Sequence, residues 1–121
     1  MNLNVEKILI IGLGMIGSSI ALASKSKGIK VYGFDKSNNS IKEAFKKNII
    51  DSKVESILDI NSKDFVKKVD LIIVAVPPKQ TLDVLNDLKD IWNMDVTITD
   101  TSSVKNHIKL NGVSNIVLSH P

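Results

Sequence analysis

A doubly wound parallel α/β sheet in a single domain is the fold this sequence predicts, on three observations. Short β-type runs alternate with helix-type runs along the 121 residues. The β-type runs are continuously apolar, as strands buried on both faces of a parallel sheet must be. The length suits one hydrophobic core, not a nucleotide domain plus a full substrate domain. Alternation of this kind implies right-handed crossovers. The expected strand order is 3-2-1-4-5-6, with the third strand the weakest.

Each element has its own signal. Lys7-Ile8-Leu9-Ile10-Ile11 is the first strand, and Gly12 to Gly17 is a glycine-rich turn. A helix over Met15 to Lys27 places Ile16, Ile20 and Ala23 on one stripe, with Gly28 as its stop. Lys30 to Phe34 is the second strand, ending at Asp35. Ser37 or Asn38 caps a helix through Lys47 with Ile41, Ala44 and Phe45 inward. A less regular stretch begins at Ile49-Ile50, and Ser62 caps a short segment over Lys63 to Lys68. Leu71 to Val76 is the clearest strand, closed by Pro77-Pro78. A helix from Lys79 to about Trp92 buries Leu82, Leu85, Leu88 and Ile91. Val96 to Thr99 forms a strand that stops at Asp100, a short helix covers Val104 to Leu110, and Ile116 to Leu118 is the last strand before His120-Pro121.

Composition excludes several classes. With 43% hydrophobic residues and a net charge of +3, the chain is not disordered. Without cysteine there is no disulfide, thiolate nucleophile or zinc–thiolate site. The two histidines lack a neighbouring acidic cluster, so a metal site is not expected. All 16 cationic side chains are lysine, scattered over polar helix faces, which argues for solvation and against nucleic-acid binding. The uncharged run of 17 residues from Ile8 to Ser24 resembles a signal peptide. It follows a segment with no positive bias, contains three glycines and is short for a membrane span of about 20 residues. A soluble, cytoplasmic protein without membrane contact is therefore expected.

Gly12-Leu13-Gly14-Met15-Ile16-Gly17 fits G-x-G-x-x-G in the context its mechanism requires, after an apolar strand and at the start of an amphipathic helix. Gly12 permits the sharp turn, Gly14 lets a diphosphate approach the backbone, and Gly17 lets helix and strand pack closely. Amides around Gly14 to Ile16 then face the anion at the positive end of the helix dipole. Asp35 lies 18 residues after Gly17 at the end of the second strand, the position of a ribose-binding acid. A carboxylate there accepts from ribose hydroxyls and repels a 2′-phosphate, which favours NAD over NADP. Lys36 offsets little of that repulsion, and no arginine is present to grip a phosphate. These features predict a Rossmann-type dinucleotide domain over residues 1–121.

Four segments carry a resemblance: Ile11 to Ser19, Val74-Ala75-Val76-Pro77-Pro78, Thr99-Asp100-Thr101-Ser102-Ser103-Val104-Lys105, and Ser119-His120-Pro121. Together they resemble the nucleotide-binding half of the prephenate/arogenate dehydrogenase family. The most specific parts are T-D-x-x-S-V-K and the H-P pair, whose histidine falls 17 residues after Ser103. Many members carry glycine where this chain has Ser102. The resemblance implies NAD-dependent oxidative decarboxylation of a small molecule, prephenate or arogenate, in tyrosine biosynthesis. It implies that His120 accepts the hydroxyl proton, as a neutral imidazole with a reference pKa of about 6.5 can. It gives Ser103 as a partner on the same oxygen or on the nicotinamide, with Val76, Pro77, Pro78, Thr101 and Ser102 along the nicotinamide side. It further implies a C-terminal helical domain, absent from residues 1–121, that makes a homodimer and supplies arginine for substrate carboxylates.

Two other classes share part of this pattern. A non-catalytic NAD-sensing domain of a potassium transport system has the glycine turn and the acid, but does not call for T-D-x-x-S-V-K or a terminal H-P. Another small-substrate reductase, such as a hydroxyacid dehydrogenase, has its catalytic lysine beyond a domain of this length.

Overall fold

The computed structural model describes residues 5–101 and, for 116–118, the backbone of one strand. Strands β1 (Lys7–Ile11), β2 (Lys30–Phe34), β3 (Ser52–Lys53), β4 (Leu71–Val74), β5 (Thr97–Asp100) and β6 (Ile116–Leu118) form one sheet in the order β3-β2-β1-β4-β5-β6. All five pairings are parallel. This is the expected order, and β3, with two residues, is the weakest strand. The helices are α1 (Met15–Ser26), α2 (Asn38–Lys46), α3 (Ile57–Ile60), α4 (Lys63–Val66) and α5 (Pro78–Asp87), the last followed by a 3₁₀ turn at Lys89–Ile91. The expected helix over 104–110 lies outside the described residues.

Ile8, Leu9, Ile10, Ile11, Val31, Ile72, Val74 and Ile98 are buried because the central strands are covered on both faces. Full burial of such a side chain stabilises the fold by about 1.5–3 kcal/mol. The amino edge is tied by Asp70, whose Oδ2 accepts from the Glu6 and Lys7 amides at 2.8 and 3.0 Å. At the opposite edge the register brings Phe34, Ile11, Val74, Asp100 and Leu118 into one row across five strands. The residues that follow this row are Asp35, Gly12, Ala75, Thr101 and Ser119. One line of backbone thus brings together positions spread over more than 100 residues of sequence.

The structure corrects three helix faces. In α1 the buried residues are Gly17 and Ala21, whereas Ala23 is exposed and Ile16 is 54% exposed. Large apolar residues attract a periodicity reading, but a helix that approaches a sheet this closely needs small ones on the contact face. In α2, Ile41 and Ala44 are buried, but Phe45 sits on the flank with Lys53 Nζ 5.0 Å from its ring centroid. In α5, Thr81, Leu85 and Leu88 form the inward stripe, and Leu82, one position round, is 67% exposed. Three boundaries also move. β4 ends at Val74 rather than Val76, α5 begins at Pro78 and gives way to the 3₁₀ turn, and β5 extends to Asp100. α3 was not foreseen. Its Ser56 cap accepts from the Leu58 amide at 3.2 Å, and its single turn buries Ile60.

Candidate functional site

The site begins at the turn between β1 and α1. Gly12 has φ +101°, a conformation that side-chain-bearing residues rarely adopt, and its amide donates to Phe34 O at 2.8 Å. A Cβ at Gly12 would stand 2.5 Å from the carbonyl oxygen of Ala75, because β4 leaves the sheet directly over the turn. Ala75 is held there by its amide, which donates to Ile11 O at 2.7 Å. α1 then starts at Met15 with Gly14 as its cap residue, no side-chain cap and no acid in its first turn. Its leading amides and the positive end of its dipole therefore serve no side chain of the chain itself. A Cβ at Gly14 would meet no atom within 4 Å. The backbone there faces open space, as a diphosphate cradle requires.

Asp35 closes the other side of the turn. Its Oδ2 accepts from the Leu13 amide at 2.8 Å and its Oδ1 from the Ser37 amide at 2.8 Å. The carboxylate is thus fixed in orientation and joins the end of β2 to the glycine turn. An ionised carboxylate offers about four acceptor positions, so both oxygens retain capacity for ribose hydroxyls. This dual role makes a stability prediction. Asp35→Ala should lower unfolding free energy by about 2 kcal/mol, since two charge-assisted bonds are lost at a half-buried position. Urea denaturation measures it. A midpoint equal to that of the unsubstituted chain would show that the bridge contributes nothing to the fold.

A cleft of about 430 Å³ opens beside these groups at the carboxyl edge of the sheet. Gly12, Gly14, Asp35, Val76 and Pro77 line it, together with Lys36. Five of the candidate residues therefore converge on one cavity at the place where the strand order reverses. The others contribute differently. Leu13 is buried and gives its amide to Asp35. Met15 and Ile16 open α1 with exposed side chains, so backbone is what they can offer an anion. Gly17 is buried against the turn, where a Cβ would overlap the Gly12 carbonyl oxygen. Pro78 occupies the first turn of α5, where its missing N–H costs nothing. Thr101 sits just past the carboxyl row with its amide and hydroxyl both donating to Val74 O, at 3.1 and 3.2 Å. Ser102, Ser103 and His120 lie outside the described residues. Asp100, the acid of T-D-x-x-S-V-K, is fully buried at the end of β5.

Sequence reasoning missed one wall of the cleft. Ile57 of α3 and Gln80, Asp83, Val84 and Asp87 of α5 also line it. The α5 residues are spaced i, i+3, i+4, i+7, which is one helix face beside the one that buries Thr81 and Leu85. That spacing was readable, but its mixed polarity hid it from a search for apolar stripes. Among the described residues, no helix is long and apolar enough to cross a membrane.

With this geometry in hand, comparison with known proteins is direct. The family model described as "Prephenate dehydrogenase, nucleotide-binding domain" matches residues 20–121. That match begins after the glycine turn, so the turn is a separate line of argument. Prephenate dehydrogenase of Lactococcus lactis subsp. cremoris (strain MG1363) is 42% identical over 110 residues, covering 85% of this chain and 28% of that protein. The Bacillus subtilis (strain 168) prephenate dehydrogenase is 35% identical over 111 residues, covering 89% of this chain and 29% of that protein. Among solved structures, prephenate dehydrogenase from A. aeolicus in complex with hydroxyphenyl propionate and NAD⁺ superposes with a TM-score of 0.77 at 28% identity, covering 100% of this chain and 43% of that one. The chain spans under a third of the length of these curated relatives. Glycine turn, carboxyl-edge cleft and family match agree: the chain belongs to the prephenate dehydrogenase family, as its nucleotide-binding domain.

Proposed function

We propose that residues 1–121 form an NAD-binding domain and that the protein it serves oxidatively decarboxylates prephenate, or arogenate, to 4-hydroxyphenylpyruvate or tyrosine. The observation that carries this reading is the convergence of an uncapped, glycine-opened helix terminus and an oriented Asp35 on one cleft. The amides of Gly14 to Ile16 would hold the diphosphate, and Asp35 would accept from the adenosine ribose hydroxyls. The relative from A. aeolicus, described with hydroxyphenyl propionate and NAD⁺, supports both the nucleotide and a ring-bearing acid as ligands. The family match favours this reading over a potassium-transport sensing domain.

When bound, the nicotinamide supplies the hydride acceptor. The chain's own residues orient it and manage a proton. Val76, Pro77, Pro78, Thr101 and Ser102 would flank the nicotinamide end. His120, as a neutral imidazole, takes the proton of the ring hydroxyl as that oxygen becomes a carbonyl, while carbon dioxide leaves and the ring aromatises. Ser103 donates to the same oxygen or to the nicotinamide. Chain geometry supports these roles. Each residue spans at most about 3.6 Å. Ser103 is three residues past Asp100, and His120 two past Leu118, in the carboxyl row. We place the protein in the cytoplasm, with the family's helical domain forming the homodimer and clamping substrate carboxylates.

Calorimetric titration with NAD⁺ and NADP⁺ tests the cofactor assignment, and NAD⁺ is expected to bind more tightly. Joining the chain to the remaining segment of a close relative and supplying prephenate tests the reaction. That fusion should release carbon dioxide and NADH in equal amounts. Residues 1–121 alone should bind nucleotide and turn over little substrate, because a lysine-only chain has no planar fork for two carboxylates. Preference for NADP⁺, or rapid prephenate oxidation by residues 1–121 alone, contradicts the proposal.

A further inference from the structure

The unforeseen wall of the cleft carries charge. Asp83 and Asp87, one turn apart on α5, line the same cleft as Asp35 and Lys36. Both are exposed, and neither is ion-paired among the described residues, where the salt bridges join Lys25 to Asp51 and Lys47 to Glu43. Three carboxylates and one ammonium therefore line a single cavity, giving it a net charge of −2. A cavity of 430 Å³ is roughly 8 Å across, about one Debye length at physiological salt, so both walls act on a charge placed between them.

We propose that Asp83 and Asp87 are specificity determinants that, with Asp35, exclude dinucleotides carrying a 2′-phosphate on the adenosine ribose. The inference rests on the nucleotide-binding reading above and extends it from one acid to a two-walled field. A 2′-phosphate brings about −1.5 to −2 charge into the cleft at neutral pH. NAD brings only its diphosphate, on the glycine turn that lines the same cleft, so the 2′-phosphate is the extra charge by which the two dinucleotides differ. Lys36 is a hydrated point charge on a flexible stem and does not replace the bidentate grip that such a phosphate needs. Asp35 acts at hydrogen-bond range, and the α5 pair acts through space. Each contribution has its own signature, because salt screens the exposed, longer-range α5 charges more strongly than the half-buried Asp35 at contact range.

The test is calorimetric titration of the 121-residue chain and its D83N/D87N variant with NAD⁺ and NADP⁺, at low salt and at about 0.5 M salt. Asparagine keeps shape and exposure and removes only the charges. At low salt the variant should bind NADP⁺ roughly tenfold more tightly than the unsubstituted chain, with a clearly smaller gain for NAD⁺, so that the ratio of the two affinities shifts toward NADP⁺. At high salt most of that gain should vanish. If NAD⁺ binds both chains and NADP⁺ affinity is unmoved, or its gain survives high salt, the α5 carboxylates do not set specificity. If the unsubstituted chain fails to bind NAD⁺, the nucleotide-binding reading itself falls.

Discussion

Alanine at Gly17 is expected to weaken NAD⁺ binding by about 100-fold, equivalent to about 2.7 kcal/mol, and to lower stability by about 2–3 kcal/mol. The added Cβ would overlap the Gly12 carbonyl oxygen and stand 3.0 Å from its carbon and 3.3 Å from Ile10 Cγ2. Gly12 has nowhere to retreat. Its amide is bonded to Phe34 O, and the Ala75 carbonyl closes its other side. α1 must therefore move off β1, carrying its leading amides away from the diphosphate position. Losing two charge-assisted hydrogen bonds accounts for a change of this size. Gly14→Ala is the control, because its Cβ would meet no protein atom within 4 Å and its φ of −78° suits any residue. That variant should melt within about 0.5 kcal/mol of the unsubstituted chain, as surface changes do, yet still lose affinity because its methyl group enters the diphosphate cradle. Thermal melts and calorimetry on the pair separate the two effects. A Gly14→Ala chain that binds NAD⁺ normally would place the diphosphate elsewhere.

Much of this site was legible because its parts are local in sequence. Gly12 to Gly17 announce the turn by residue type, and Asp35 is found by counting from Gly17 to the end of the next apolar run. Alternation and handedness left several strand orders open, and the expected one, usual for a dinucleotide-binding sheet, is the one observed. Three kinds of feature were not legible. Ile16 looked inward because periodicity weighs bulk, whereas the tight contact of α1 with the sheet selects Gly17 and Ala21. The Asp35–Leu13 bond is a tertiary contact over 22 residues, and residue type does not reveal that a ribose-binding acid also anchors the turn. The α5 wall is amphipathic in an unusual sense. Its buried face includes Thr81, and its cleft face mixes Val84 with carboxylates, so hydrophobic pattern alone assigns neither.

His120→Asn is expected to cut turnover by roughly 10²–10⁴-fold in the chain joined to a relative's substrate segment, while leaving NAD⁺ affinity within about twofold. β6 ends at Leu118 beside Asp100, in the same row as Ile11 and Phe34, and His120 follows two residues later in the sequence. Oxidising a secondary ring carbinol to a carbonyl requires its hydroxyl proton to leave as the hydride does. Imidazole is the one side chain of this segment that accepts a proton near neutrality. Asparagine preserves size and hydrogen bonding but not basicity, so binding persists and chemistry slows. The sign with pH follows. Turnover by the unsubstituted protein should fall on the acid side, as the imidazole becomes charged and stops accepting, and that limb should be missing from the residual activity of the variant. A variant that retains the acid limb, or turns over at the unsubstituted rate, would assign the proton to another group. Ser103, three residues past Asp100, is the first to replace next, and Ser103→Ala should cost less because a hydroxyl can orient the oxygen without taking its proton.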